Sequence, residues 1–108
     1  MVDKMDAEAY NNRGYAKHMS GDYKDAIDDF NKAIELNPKF AYAYYNRGAA
    51  KGELGDYKGE IADCDKAIEL NPRLAAAYDG RGIAKEKLGG HNGAIADFDK
   101  AIELYRNF

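Results

Sequence analysis

An eight-residue stretch, DFNKAIEL at residues 29–36, decides the fold because it returns as DCDKAIEL at residues 63–70 and as DFDKAIEL at residues 97–104. Each copy begins 34 residues after the one before it. A second motif keeps the same spacing, since an Arg-Gly pair places glycines at positions 14, 48 and 82. A fixed period of this length indicates stacked copies of one structural unit rather than a single closed globule.

The apolar residues around each copy follow the period of an α-helix. In the first unit they fall at positions 26, 27, 30, 33 and 34, which form one stripe of a helix. Asp22 and Asp56 precede two of these stripes and are expected to accept the first unpaired backbone N–H groups. Pro38 and Pro72 follow the stripes and indicate helix ends. The sequence therefore predicts two helices per unit, at residues 7–19, 23–36, 41–53, 57–70, 75–87 and 92–106.

Composition limits the possible function classes. The 108 residues, 45% of them hydrophobic, are enough for one domain whose core is shared between units. The net charge of −3 comes from interleaved acids and bases, which argues against nucleic-acid and membrane partners. The only cysteine, Cys64, cannot form an internal disulfide, and the first residues lack the apolar run of a secretory signal. We therefore expect a cytoplasmic protein.

Glycines recur inside the predicted first helix of each unit. Gly14, Gly48 and Gly82 occupy positions where glycine costs about 1 kcal/mol relative to alanine. Three occurrences at one phase predict close approach between two helices. Ala26 and Ala94 are the expected opposing surface.

These residues resemble the tetratricopeptide repeat family over residues 7–108. The family pattern is matched by Tyr10, Gly14, Ala26, Phe30 and Pro38, by Tyr44, Gly48 and Pro72, and by Tyr78, Gly82, Ala94 and Phe98. The resemblance implies an all-α fold, a right-handed superhelical solenoid of three helix-turn-helix repeats. It also implies that the first helices line a concave groove that binds peptides or partner proteins. The predicted division is a lead at residues 1–6 and repeats at residues 7–40, 41–74 and 75–108.

Two positions depart from the family pattern in every copy. Arg13, Arg47 and Arg81 replace the usual leucine, and Lys17, Lys51 and Lys85 replace a tyrosine. One interpretation makes the arginines a ladder for acidic ligands. The other pairs each arginine with Asp29, Asp63 or Asp97 of its own unit. We favour pairing, because an arginine beside a tight glycine contact is partly buried and needs a partner.

The middle unit departs from its neighbours at two further positions. Glu60 replaces the small residue, and Cys64, one turn later on the same face, replaces the phenylalanine. The stem of Glu60 is expected to fill the space left by the ring, while its carboxylate reaches water or a lysine. We predict a buried packing role for Cys64, with a ligand or redox role as the alternative.

The sequence offers little support for catalysis. His18 and His91 lie in different units, and neither has a repeated acid or nucleophile beside it. Acidic neighbours one or two positions apart on a helix point to different faces and would not converge on a metal. We therefore predict that the chain is not an enzyme and uses neither a cofactor nor a metal.

Recognition of a peptide or partner protein remains the favoured function. The predicted groove residues are Asn11, Asn12, Tyr15, His18, Tyr42, Tyr45, Asn46, Ala49, Glu53, Asp79, Ile83 and Glu86. Asn12 and Asn46 share one phase and are suited to hold the backbone of an extended peptide, with tyrosines as apolar contacts. Similarity to the carboxylate-clamp members of the family, which hold acidic chaperone tails, is limited to Asn46. Asn11, Ala76 and Gly80 stand where that clamp needs bases.

Self-association is the alternative function. Stacked arrays usually end in an element with a polar outer face, and the last predicted helix lacks one. The apolar residues expected to meet another copy are Ile95, Phe98, Ile102, Leu104, Tyr105 and Phe108. They would form a dimer or a head-to-tail stack. A further reading is that the chain is an excised or built array with no ligand of its own.

Overall fold

The structure, a computed structural model, describes the backbone of residues 3–107 and the side chains of residues 6–107. This part of the chain forms six helices and no strand. They are α1 (Asp3–Met19), α2 (Tyr23–Leu36), α3 (Ala41–Glu53), α4 (Tyr57–Leu70), α5 (Ala75–Lys87) and α6 (His91–Arg106). The predicted all-α fold is confirmed. The main difference from the predicted bounds is that α1 begins at Asp3 instead of residue 7.

The helices pack in the order of the chain. Within the units α1 packs on α2, α3 on α4 and α5 on α6, and between the units α2 packs on α3 and α4 on α5. The first helices α1, α3 and α5 also touch one another in series and so share one face of the molecule. The result is a solenoid of helix pairs with extents of 45 × 30 × 20 Å.

The turn inside each unit depends on a glycine with positive φ. Gly21, Gly55 and Gly89 have φ of 91°, 89° and 88°, in the left-handed region that favours glycine. The expected cap at Asp56 is confirmed, because its Oδ1 accepts a hydrogen bond from the backbone N–H of Gly59 at 2.9 Å. The expectation for Asp22 is wrong, since its side chain makes no cap hydrogen bond.

The turn between units is held by a tyrosine of the following unit. The hydroxyl of Tyr44 donates to the carbonyl of Pro38 at 3.0 Å, and that of Tyr78 donates to Pro72 at 3.1 Å. Each hydrogen bond ties the first helix of one unit to the turn that ends the unit before it. These contacts help to fix the angle between successive units.

The helical glycines mark close contacts, as predicted. A β-carbon added to Gly14 would lie 2.7 Å from Cε1 of Phe30, and one added to Gly82 would lie 2.7 Å from Cε1 of Phe98. The predicted opposing surface is therefore corrected, because the nearest atoms belong to aromatic rings and not to Ala26 or its counterpart in the third unit. The ring needs the space that a side chain on the first helix would fill.

Candidate functional site

The arginines that depart from the family pattern hold aspartates within their own units, as predicted. Arg47 donates from Nε to Oδ2 of Asp63 at 2.9 Å and from Nη2 to Oδ1 at 2.7 Å. Lys51 adds its Nζ at 3.2 Å from Oδ2. The first unit repeats this grip with Arg13, Lys17 and Asp29, and the third with Arg81, Lys85 and Asp97. The Nε and Nη2 groups that a ladder for acidic ligands would need are therefore already bonded to aspartates of the same unit.

In the outer units these contacts lower the pKa of the buried aspartates. Hydrogen bonds from Arg13 lower the pKa of Asp29, and Lys17 contributes in the same direction. Burial alone would raise the pKa of Asp97, yet its bonds with Arg81 and Lys85 outweigh burial and leave this pKa lowered. Both carboxylates therefore act as fixed negative charges, not as proton carriers.

The shared face of α1, α3 and α5 contains a cleft of about 450 Å³. Six of the predicted groove residues lie around it: His18, Tyr45, Ala49, Glu53, Asp79 and Ile83. The other lining residues are Gly52, Tyr57, Glu60, Gly80 and Lys87. All three first helices contribute, so the cleft draws on every unit.

Three further predicted groove residues lie on α1 beside this cleft, and one of them is already bonded. The Nδ2 of Asn46 donates to Oδ1 of Asn11 at 3.0 Å, which links the first helices of two units. Asn12 and Tyr15 are exposed. The amide oxygen of Asn46 remains available after this bond, because the bond uses only its nitrogen.

Tyr42 and Glu86 lie outside the cleft. Tyr42 lines a second cleft, of about 440 Å³, together with Tyr105 of α6 and residues of the turn before α5. Oε2 of Glu86 lies 3.3 Å from Nδ1 of His91, so this carboxylate has a partner whenever the histidine is protonated. Six of the twelve predicted residues therefore line this cleft, and Tyr42 and Glu86 do not.

Glu60 is one of the five cleft residues that sequence reasoning did not assign to the groove. Its side chain reaches Gly52 and Gly80, and no lysine pairs with it in the part of the chain that the structure describes. Its carboxylate lies between two glycines: a methyl group on Gly52 would overlap Oε1, and one on Gly80 would lie 3.7 Å from Oε2. Gly52 is the available sequence signal, because its counterparts in the other units are His18 and Glu86.

Acidic groups dominate the cleft. Burial raises the pKa of Glu60 to about 7, and the nearby charge of Glu53 adds to the rise. Burial likewise raises the pKa of Tyr45 to about 12, with smaller contributions from charges that include Asp79. Lys87 is the only lysine or arginine that lines this cleft. The cleft is therefore suited to a cationic or neutral ligand.

Cys64 is fully buried, which confirms its predicted packing role. Burial raises the pKa of the thiol to about 12, and the charge of Glu60 adds to the effect. The thiol therefore stays protonated and unreactive near neutral pH.

His18 packs edge-on against the ring of Tyr23, with centroids 5.2 Å apart. Among residues 6–107 no three metal-ligating side chains come together.

The residues predicted for self-association differ in exposure. Ile95, Ile102 and Tyr105 are exposed, whereas Phe98 and Leu104 are half-buried. The ring of Phe98 packs on Gly82, and Phe108 lies outside the described residues. The exposed stripe on α6 therefore contains two isoleucines and a tyrosine.

No helix within residues 3–107 is long and apolar enough to cross a membrane.

Comparison with known proteins supplies an independent test. Models of the tetratricopeptide repeat match residues 7–40, 30–62 and 75–108. The TPR domain of Arabidopsis OM64 is 31% identical, with a TM-score of 0.95, and the match covers 99% of this chain and 88% of that one.

Two other solved structures extend the comparison. The first TPR of Spaghetti (RPAP3), bound to the HSP90 peptide SRMEEVD, is 29% identical, with a TM-score of 0.93 and coverage of 99% of this chain and 85% of that one. MamA is 34% identical with a TM-score of 0.87, and the match covers 95% of this chain but 60% of MamA. Sequence, repeat period and structure thus agree, and the chain belongs to the tetratricopeptide repeat family.

Proposed function

We propose that this chain is a non-enzymatic interaction module that binds an extended peptide segment of a partner protein along its first helices. The observation that carries the proposal is the cleft to which α1, α3 and α5 all contribute. The similar first TPR of RPAP3 is bound to a peptide, which supports this mode for the family. We place the function in the cytoplasm, where the single buried Cys64 stays reduced.

The groove offers two kinds of contact to such a peptide. Ile83 and Tyr15 share one phase of the repeat and are exposed, so they provide apolar contact area on the first helices of the third and first units. Asn12 and Asn46 also share a phase, and the amide oxygen of Asn46 can accept a hydrogen bond from a peptide backbone. Together they suit a segment with alternating apolar side chains and an accessible backbone.

The charges of the groove favour a neutral or basic segment. The peptide bound to RPAP3, SRMEEVD, carries two glutamates and an aspartate. In this chain the arginines are paired within their units, and the cleft carries Glu53, Glu60 and Asp79. Like charges facing each other would weaken the binding of an acidic tail.

A peptide array tests the groove directly. We expect Ile83→Lys, Tyr45→Ala and Asn46→Ala each to weaken binding of selected peptides by about tenfold, which corresponds to about 1.4 kcal/mol. Ile95→Lys is the matched control, because Ile95 is an exposed isoleucine on the second helix of the same unit as Ile83. Circular dichroism checks that each variant remains folded. Equal binding by the wild type and all groove variants would overturn the site.

A second candidate function, head-to-tail stacking of copies, rests on a contact that recurs between units. Nη1 of Arg47 donates to Oδ1 of Asn31 in the preceding unit at 2.9 Å. Nη1 of Arg81 donates to Oδ1 of Asp65 in the same way at 2.8 Å. Both arginines thus join successive units while they hold an aspartate of their own unit.

The two halves of a third such contact lie at opposite ends of the described chain. Arg13 is the counterpart of Arg47, and its side chain is 61% exposed, against 21% for Arg47 and 20% for Arg81. Asp99 is the counterpart of Asp65 and is also exposed. A second copy placed one repeat further along would bring its Arg13 to Asp99 of the first.

Apolar exposure on α6 fits the same arrangement. Ile95 and Ile102 are 56% and 53% exposed, whereas their counterparts on α2 and α4 are half-buried in helices that pack on the next unit. Packing of α6 against α1 of another copy would bury these isoleucines. Such a contact joins two different surfaces and builds an open stack.

Sedimentation and light scattering over a range of concentrations test the stack. We expect Asp99→Arg to give monomers, because it would face the arginine of the next copy. Asp99→Asn is the matched control and should still associate, since Asn31 already serves in this contact with Arg47. A monomeric mass for the wild type at the highest soluble concentration would overturn stacking.

A further inference from the structure

Glu60 differs from the other buried carboxylates because it has no partner. Among residues 6–107 the buried charged side chains are Glu60 and three aspartates, and each aspartate is held by an arginine and a lysine. Glu60 is only 7% exposed and makes neither a hydrogen bond nor an ion pair with any side chain of this part of the protein. A buried carboxylate without a partner is unfavourable and is not explained by the fold.

The carboxylate of Glu60 faces the cleft. Across residues 6–107, no fully enclosed side-chain oxygen or nitrogen lacks a hydrogen-bond partner. The unpaired oxygens of Glu60 are therefore reachable from the cleft that this residue lines. Gly52 and Gly80 flank them, and a side chain at Gly52 would collide with Oε1. Their lack of side chains keeps the approach to the carboxylate open.

The walls of the cleft suit a long cationic side chain. Tyr45 and Tyr57 supply aromatic surface for its aliphatic stem or for a cation–π contact. Glu53 and Asp79 add negative charge, and neither Lys87 nor His18 lies within 4.0 Å of the Glu60 carboxylate. A lysine or arginine from outside would supply the charge-assisted hydrogen bond that the fold does not provide.

Resting on the proposed function, we infer that this cleft is a subsite for one lysine or arginine side chain of the partner peptide, with the Glu60 carboxylate as its acceptor. The outer units have Ala26 and Ala94 at the same position, so the chain has a single subsite of this type at its centre. The bound side chain would fix the register of the peptide along the first helices. This inference assigns Glu60 a binding role instead of a packing role.

Nine-residue peptides with one fixed central residue provide the test. The fixed residue is lysine, arginine, norleucine or citrulline, and the other positions are randomised over neutral residues. Norleucine keeps the stem of lysine without its charge, and citrulline is a neutral analogue of arginine. The proteins are the full chain, Glu60→Gln, which keeps the shape but not the charge, and Glu69→Gln, which removes an exposed charge from the same helix outside the cleft.

We expect the wild type to bind the lysine and arginine sets at least tenfold more tightly than their neutral analogues. Glu60→Gln should lose this preference while still binding the neutral sets, and Glu69→Gln should keep it. Binding of neutral and basic sets with equal affinity by the wild type would overturn the subsite and leave the proposed groove intact. A preference that survives Glu60→Gln would also overturn it. Failure to bind any set would instead contradict the proposed function itself.

Discussion

The middle unit and the two outer units share one frame but differ in what fills it. In each unit an arginine and a lysine on the first helix hold an aspartate on the second, with arginine-to-aspartate distances of 2.7–2.9 Å. In the outer units Phe30 and Phe98 then pack on helical glycines, whereas in the middle unit Gly48 faces Asp63 and the backbone of Glu60. The contacts of the arginine and the lysine with the aspartate therefore suffice to orient a helix pair, and the aromatic ring is replaceable.

Loss of the ring changes which atoms the helical glycine faces. A β-carbon added to Gly48 would lie 3.0 Å from Cβ of Asp63 and 3.1 Å from the backbone oxygen of Glu60. At the outer glycines the nearest atoms belong to the aromatic ring instead. Gly48 thus faces the backbone of α4, and the side chain of Glu60 extends toward the concave face.

The largest expected effect tests whether the contact of the arginine and the lysine with the aspartate holds the helix pair of each unit together. Asp63→Ala should lower the free energy of unfolding by about 3 kcal/mol, because Arg47 and Lys51 would lose their buried partner. Asp29→Ala should cost less, since Arg13 is largely exposed. Urea unfolding measures both, with Asp28→Ala as the exposed control. An equal loss of stability for Asp63→Ala and that control would mean that other contacts hold the helix pair together.

The next effect uses pH to distinguish Glu60 of the middle unit from the paired aspartates. The pKa of Glu60 is raised to about 7 in the folded chain and is about 4.3 in an unfolded one, so the folded state binds its proton more tightly. Stability should therefore fall between about pH 4.3 and 7. The full shift corresponds to about 3.7 kcal/mol, and contact of the carboxylate with solvent in the cleft reduces this to about 2 to 3 kcal/mol. The contribution should be constant above that range. Glu60→Gln should lack this fall.

Unfolding curves of the wild type and Glu60→Gln at matched pH isolate this contribution from that of the paired aspartates. The titratable groups around the same cleft are His18 on α1, Tyr45 and Glu53 on α3, Tyr57 and Cys64 on α4, and Asp79 and Lys87 on α5. They are common to both proteins, so the difference between the curves reports mainly on Glu60. Parallel curves from pH 4 to 8 would show that its carboxylate is as well solvated as an exposed one.

Most of the fold could be predicted from the sequence because it depends on repeated local signals. The period located the helices, the Gly-Asp and Asn-Pro pairs located the turns, and the need of a buried arginine for a partner identified the aspartates. The residues nearest to the outer helical glycines were predicted incorrectly. Spacing shows which residues share a stripe, but it does not show that a ring such as Phe30 reaches further than Ala26.

The candidate site could be predicted only in part, for a related reason. Counting along the first helices found residues on the concave side, and half of them surround one cleft. Glu60 was missed because it reaches the cleft from a second helix, through space left by Gly52 and Cys64. That path depends on residues from both helices of the middle unit, and no single helical period contains it.

A smaller effect tests whether Glu60 and Cys64 compensate each other. Cys64→Phe alone should cost about 1 to 2 kcal/mol, because the ring would compete with the stem of Glu60 for one space. Glu60→Ala with Cys64→Phe restores the pattern of the outer units and should be at least as stable as the wild type at pH 7. A double-mutant cycle measures the coupling. Additive effects would mean that the two departures are independent.

The smallest effect compares two caps that the sequence alone does not distinguish. Asp56→Ala should cost about 1 kcal/mol, because the hydrogen bond from Gly59 to its carboxylate is lost. Asp22→Ala should cost less than about 0.5 kcal/mol, since Asp22 makes no such bond and loses only its favourable charge at the start of α2. Both substitutions remove one negative charge beside a helix start, so the difference between their urea midpoints isolates the hydrogen bond. Equal midpoints would mean that charge alone accounts for both aspartates, and that the middle and first units begin their second helices in the same way.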